Sequence, residues 1–257
     1  MTRLALPRAA RSPQVFYPVG VFVLVIALWQ GAVLCFHVPE YLLPAPFAAA
    51  KEVDLALVGH AWTTFVEALL GFTLANVLAF LTAAAFVYFP PLESSLFPFA
   101  IALKTTPLVA VAPLLVIWLG TGLWSKVAAS VLICFFPTLV NSVKGLKSVE
   151  PEALEFFATR GASSFETFLR LRLPSSLPYV ISGLKISTSL AVVGAIVGEF
   201  VGASQGLGYV VLVSSYHMET PTMFAAVACS AAIGLAMFWG VAALERRLVF
   251  WQKVDPS

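Results

Sequence analysis

Charge is what this 257-residue chain has least of: Asp, Glu, Lys and Arg make up 11% of it, against 60% hydrophobic residues. A water-soluble domain normally carries about 25% charged residues, so the scarcity excludes a chain that folds with its whole surface in water. The few charges do not favour one sign, since 15 basic residues oppose 13 acidic ones, and the basic residues are scattered over several loops. That scatter excludes a nucleic-acid-binding face. Cysteine is equally sparse. Cys35, Cys134 and Cys229 each sit in an apolar run with no C-x-x-C spacing, where a thiol packs as a small hydrophobe, so neither a redox pair nor a metal site is expected. His217 has no second histidine or cysteine at metal-ligand spacing. The sequence lacks a Gly-Lys-Ser/Thr phosphate loop, which excludes ATP hydrolysis by this chain. It also lacks an H-E-x-x-H helix and any Ser/His or paired-aspartate pattern suited to an intramembrane enzyme. No catalytic residue and no cofactor is expected.

What the chain does have is length in its apolar runs. Its mean hydropathy is +0.94 and 21 residues are phenylalanine. Runs at 15–36, 61–89, 95–118, 124–143, 178–202 and 222–244 are each long enough for the ~20 residues that cross a bilayer as a helix. The expected fold is therefore all-α, a polytopic membrane helix bundle of about six spans. Pro98, Pro107 and Pro113 interrupt the third run, and proline frees helix carbonyls, so a kinked or broken span is expected there. The first run has no small-residue cleavage site and reads as an anchor. Trp29, Trp118, Trp124, Trp239 and Trp251 fall near run ends, as interfacial aromatic belts do.

Arg3, Arg8 and Arg11 precede the first run, whereas 37–60 has Lys51 as its only basic residue. The positive-inside rule then puts both termini in the cytoplasm. Residues 1–14 form a cytoplasmic N-terminal segment, and 15–257 form a single transmembrane domain with a cytoplasmic loop at 144–177.

That loop is the polar island of the chain. Glu150-Pro151-Glu152 starts a helix well, with proline at the first helical position and carboxylates at the positive end of the dipole. Gly161 stops it. Ser163-Ser164-Phe165-Glu166 has capping-box spacing, and Phe165, Phe168 and Leu169 repeat at one-face intervals until Leu173-Pro174, where the run is expected to end. Two short amphipathic helices hinged at a glycine suit a docking surface for a soluble partner. A hairpin lying on lipid headgroups fits the same pattern.

The loop resembles the EAA motif of permease subunits of bacterial ABC importers, in which a glutamate, a glycine six residues on and a terminal Leu-Pro recur. Glu155, Gly161, Leu173 and Pro174 stand at those positions, with Ala158 between them and Leu171 where the motif has an aliphatic residue; Phe156-Phe157 replace two usual alanines. Further stretches resemble the nitrate/sulfonate/taurine and thiamine-precursor/riboflavin branch: "LLPAP" at 42–46, "KTTPLVAVAPLLVIWLGTG" at 104–122, "FFPTLVNSVKGL" at 135–146, "AVVGAIVGEFVGASQGLGYVVL" at 191–212 and "ETPTMFAAV" at 219–227. The last two lean towards hydroxymethylpyrimidine or riboflavin uptake. The resemblance implies a permease in the cell inner membrane, working as a homodimer with two cytoplasmic ABC ATPase subunits and an extracytoplasmic substrate-binding protein. It makes 144–177 the ATPase-coupling loop.

Within the runs, charge is costly and therefore informative. Glu199 and Glu67 are candidates for the translocation pathway; the alternative for Glu199 is a structural partner satisfying backbone near Gly202–Gly208, and for Glu67, early in its run, a side chain that reaches the headgroups by snorkelling. Gly194, Gly198 and Gly202 recur at four-residue spacing, which allows close helix packing, either within one bundle or along a dimer seam. Gly206-Leu207-Gly208 suits a short extracytoplasmic turn. Two other readings remain. An ion-coupled secondary carrier could use the two glutamates and the broken span, and the "ATRG" at 158–161 partly echoes the energy-coupling subunit of vitamin importers.

Overall fold

A computed structural model describes residues 13–251 and, among them, shows helices and no strand. Arg3, Arg8, Arg11 and Lys253, with most of the expected N-terminal segment, lie outside the described residues. The spans are α1 (Pro13–Cys35), α3 (Leu55–Tyr88), the pair α4 (Pro90–Thr105) and α5 (Leu108–Leu119), α6 (Leu123–Leu146), α9 (Leu173–Glu199) and α11 (Thr220–Leu248). Shorter helices join them: α2 (Pro46–Lys51), α7 (Pro151–Thr159), α8 (Ser164–Thr167) and α10 (Leu207–His217). Five of the helices are long and apolar enough to cross a membrane, and the bent α4–α5 pair makes a sixth. The break expected from the prolines is there: α4 and α5 meet at 101° across Thr106-Pro107.

One sequence expectation fails. Leu173-Pro174 does not end the island; a π-helical turn over Phe168–Arg172 carries α8 into α9, so one helix runs Ser164–Glu199 for 36 residues. A proline ring strikes the carbonyl four residues before it. Here that carbonyl belongs to Arg170, inside the π turn, where the wider ladder absorbs the clash. The fifth span therefore begins well before residue 178.

The middle of the bundle is α6, packed between α3 and α9. Apolar burial gives little drive between helices already surrounded by lipid, so small residues and buried hydrogen bonds must hold them. Both occur along α6. Ser130 Oγ donates to the Ala191 carbonyl at 2.9 Å, Cys134 Sγ reaches the Ser187 carbonyl at 3.3 Å, and Thr138 Oγ1 lies 2.9 Å from Ser187 Oγ while donating to Asn76 Oδ1 on α3. A β-carbon on Gly71 would overlap Ser130 Cβ, and one on Gly194 would lie 2.5 Å from Ser130 Cα. Glycine on both flanking helices thus sets the spacing of three spans. By contrast α1 stands at the edge, touching the rest through Trp29 against Phe224 and Gln30 accepting from the Phe47 amide.

Candidate functional site: a buried clasp and an exposed loop

At one end of the bundle α7 projects with no buried residue. Pro151 occupies its first turn and Glu152 follows. Gly161, at φ +71°, closes it: the Gly161 amide donates to the Ala158 carbonyl at 3.0 Å and the Ala162 amide to Phe157 at 3.1 Å. This left-handed cap is a conformation that glycine adopts without steric cost. Half of the expected capping box forms: Ser163 Oγ accepts from the Glu166 amide at 3.1 Å, while the Glu166 carboxylate pairs with Arg170 at 3.0 Å. Glu155, Ala158 and Gly161 are exposed, with Phe156 and Phe165 beside them, while Leu171, Leu173 and Pro174 are half-buried at the root.

The loop is fastened to three spans. Arg172 Nη1 donates to the Leu146 carbonyl at 2.9 Å, capping the end of α6. Tyr88 Oη, at the end of α3, donates to the Ser164 carbonyl at 2.9 Å. Lys147 pairs with Glu93 of α4 at 2.5 Å. A force on α7 therefore reaches α3, α4, α6 and α9 through short covalent and hydrogen-bonded links.

The two glutamates lie near the other end of the bundle, and together. Glu67 on α3 and Glu199 on α9 are 4% and 1% exposed and lie close enough to act on one another electrostatically, while Glu67 Oε2 is buried without a hydrogen-bond partner. Lys126 on α6, 2% exposed, lies within Coulomb range of both and donates to the Thr121 carbonyl. Sequence reading missed Lys126, although a lysine two residues after a tryptophan at the start of an apolar run is an intramembrane charge like the other two. Glu199 also accepts from Thr64 Oγ1 at 2.6 Å and from the Gly208 amide. Thr64 Oγ1 in turn accepts the Leu207 amide at 2.7 Å, and His60 Nδ1 accepts that of Gly206 at 3.1 Å. The free amides at the start of α10 are thus bound to side chains of α3 and α9. Gly206 has φ +106°, and a β-carbon there would overlap Glu199 Cδ. The turn and the carboxylate fit only as glycine and glutamate together.

Gly194 and Gly198 both face α6, Gly198 towards Lys126 Cα, whereas Gly202 lies past the end of α9 in a left-handed turn at φ +74°. Another intramembrane pair, Lys185 with Glu245 at 2.5 Å, ties α9 to α11.

A multi-span helix bundle with charged groups clustered between its spans, and an exposed helical loop rooted in four of them, is the core of a membrane transport subunit. Known proteins make this specific. Residues 75–250 match the family described as binding-protein-dependent transport system inner membrane component, and the chain belongs to it: it is a multi-pass inner-membrane ABC importer permease. It is 35% identical to the formylaminopyrimidine transport permease protein ThiX of Halalkalibacterium halodurans, over 95% of this chain and 98% of that one. It is likewise 35% identical to the riboflavin transport system permease protein RibX of Chloroflexus aurantiacus, over 93% and 91%. A putative aliphatic sulfonates transport permease protein, SsuC of Bacillus subtilis, is 29% identical over 89% and 84%. Among solved structures, an inward-facing MetNI methionine ABC transporter shares the fold, with a TM-score of 0.67 at 14% identity over 75% of this chain and 96% of that one.

Proposed function

We propose that two copies of this chain form the pathway of an ATP-driven importer, with two ATPase subunits gripping α7 and a substrate-binding protein delivering the solute at the α10 end. Both termini and the 144–177 loop then face the cytoplasm. The observation that carries the reading is the exposed, glycine-capped α7 rooted by Arg172, Tyr88 and Lys147 in the surrounding spans. Glu155, Ala158 and Gly161 form its contact face, and Leu171, Leu173 and Pro174 transmit the load into α9. Glu67, Lys126 and Glu199 act as a clasp at the outer mouth, keeping the α10 turn seated on α3 and α9. The solute is small, and the kinship with ThiX and RibX favours a pyrimidine- or flavin-like compound over a sulfonate, taurine or nitrate.

The test is co-purification from the native host on a tagged permease, then reconstitution. An ATPase and a binding protein should copurify, and ATP hydrolysis should rise on adding the loaded binding protein. Accumulation by the purified chain alone, driven by a proton or sodium gradient, would instead establish a secondary carrier.

A further inference from the structure

The break between α4 and α5 opens onto a pocket of about 410 Å³, lined by Lys104, Thr105, Thr106, Pro107, Phe136 and Pro137 among others. That volume suits a small solute. Lys104 Nζ lies 4.9 Å from the centre of the Phe136 ring, and Phe136 is about midway along α6, so the ammonium stands at mid-span depth. The other two intramembrane lysines have acidic neighbours: Lys126 has Glu67 and Glu199, and Lys185 has Glu245. Among the described residues no carboxylate lies within ion-pair distance of Lys104. An intramembrane charge without a partner is expensive unless it faces water or a ligand. Its neighbours supply polar groups of both kinds. The Thr105 and Thr106 hydroxyls are turned onto the Ala102 carbonyl, leaving acceptor lone pairs outward, and at the start of α5 the Ala110 amide is bound to the Pro107 carbonyl while the Leu108 and Val109 amides, at the positive end of the helix, have no backbone partner.

We propose that this pocket is a contact station for the transported solute within the pathway, taking a small molecule with an anionic or carbonyl-oxygen edge against Lys104 and a thin apolar body against Phe136 and Pro137. This deepens the permease reading and rests on it. The break supplies the site because only an interrupted helix presents a side-chain cation and free backbone amides to the same space.

The experiment uses the assembled complex in nanodiscs, with Cys35 and Cys229 replaced by alanine, buried Cys134 retained, and Thr106→Cys as reporter. The probes are two thiol reagents of similar size, sulfonatoethyl methanethiosulfonate (anionic) and trimethylammonioethyl methanethiosulfonate (cationic). The anionic reagent should label about tenfold faster, because a nearby unit charge focused in a cleft changes encounter rates by that order. Lys104→Gln should bring the ratio near one, and Lys104→Arg should preserve it. A ratio indifferent to Lys104→Gln overturns the proposal, as does failure of both reagents to label, which would put the pocket against lipid. Binding-protein-stimulated ATPase activity, measured on the same samples, separates this from the permease reading. A Lys104-dependent ratio without stimulation sustains the pocket and rejects the importer; stimulation with an indifferent ratio does the reverse.

Discussion

Gly194 of α9 and Ser130 of α6 touch backbone to backbone: an added β-carbon on the glycine would lie 2.5 Å from Ser130 Cα, and one turn away Ser130 Oγ donates to Ala191 at 2.9 Å. Gly194→Ala must push α9 off α6 and stretch that bond. Overpacking of this kind costs about 1–3 kcal/mol. Gly240, where an added β-carbon would meet nothing within 4 Å, is the control, and alanine there should hold or raise stability. Thermal unfolding of both variants in detergent checks the contrast.

Lys126 is the one ammonium set against two carboxyl groups in the clasp. Lys126→Met leaves buried carboxyls without a counter-charge, and breaking such a set from one side costs about 3–5 kcal/mol. Adding Glu67→Gln should restore part of the loss. A double-mutant cycle on the melting temperature measures the coupling; strictly additive losses would show the two groups to be independent.

Glu199→Gln tests the clasp more gently. Thr64 Oγ1 and the Gly208 amide both donate to Glu199; a glutamine keeps the Gly208 bond only if its nitrogen turns to Thr64, whose proton must then move to the His60 carbonyl, and replacing two charge-assisted bonds by neutral ones costs about 1–3 kcal/mol. Lower stability with normal uptake per assembled complex is the outcome for a scaffold role. Lowered uptake per complex at normal stability assigns the carboxylate to the pathway.

On the loop, Gly161→Pro cannot adopt φ +71°, since proline fixes φ near −65°, and Glu155→Arg reverses the charge of an exposed contact. Both changes lie outside the spans. Each should leave insertion intact while weakening ATPase binding by about tenfold or more, the scale of a central interface contact, with stimulated ATP hydrolysis falling in step. Full stimulation in both would remove α7 from coupling.

Arg172→Ala removes the donor on the Leu146 carbonyl. A charge-assisted bond of this kind is worth about 1.5–3 kcal/mol. Amide exchange in 147–150, just past the end of α6, should accelerate while exchange in the middle of α6 stays slow.

The spans were legible because twenty apolar residues in a row leave few alternatives, and the broken third span because Pro107 leaves the α4 ladder without its next donor. The capped α7 was equally local: Pro151, Gly161 and Ser163 each act on neighbours a few residues away. Glu199 and Glu67 were recognisable as misfits, yet not as partners, since 132 residues of chain separate them and only packing onto α6 joins them. Lys126, the third residue of the run at 124–143, escaped because a lysine so near a run end is ordinarily accommodated by snorkelling to the interface. The glycine spacing announced close packing without saying which face of α9 meets α6, and Gly202 shared the spacing while belonging to a turn. Pro174 misled because its usual effect, ending a helix, was cancelled by a π turn that has no pattern of its own.

The unbroken helix from Ser164 to Glu199 is a rod resting on a fulcrum. At 1.5 Å per residue the arm from Gly194 to Ser164 is about 45 Å long and the arm to Glu199 about 7 Å. A tilt of roughly 5° at the level of Gly194, with α6 carried along by its bonds to Ser187 and Arg172, would therefore sweep the loop end through about 4 Å and the clasp through less than about 1 Å. Such a lever trades a broad stroke at α7 for a small, forceful displacement at Glu199, which is the scale on which hydrogen bonds to Thr64 and Gly208 either hold or part.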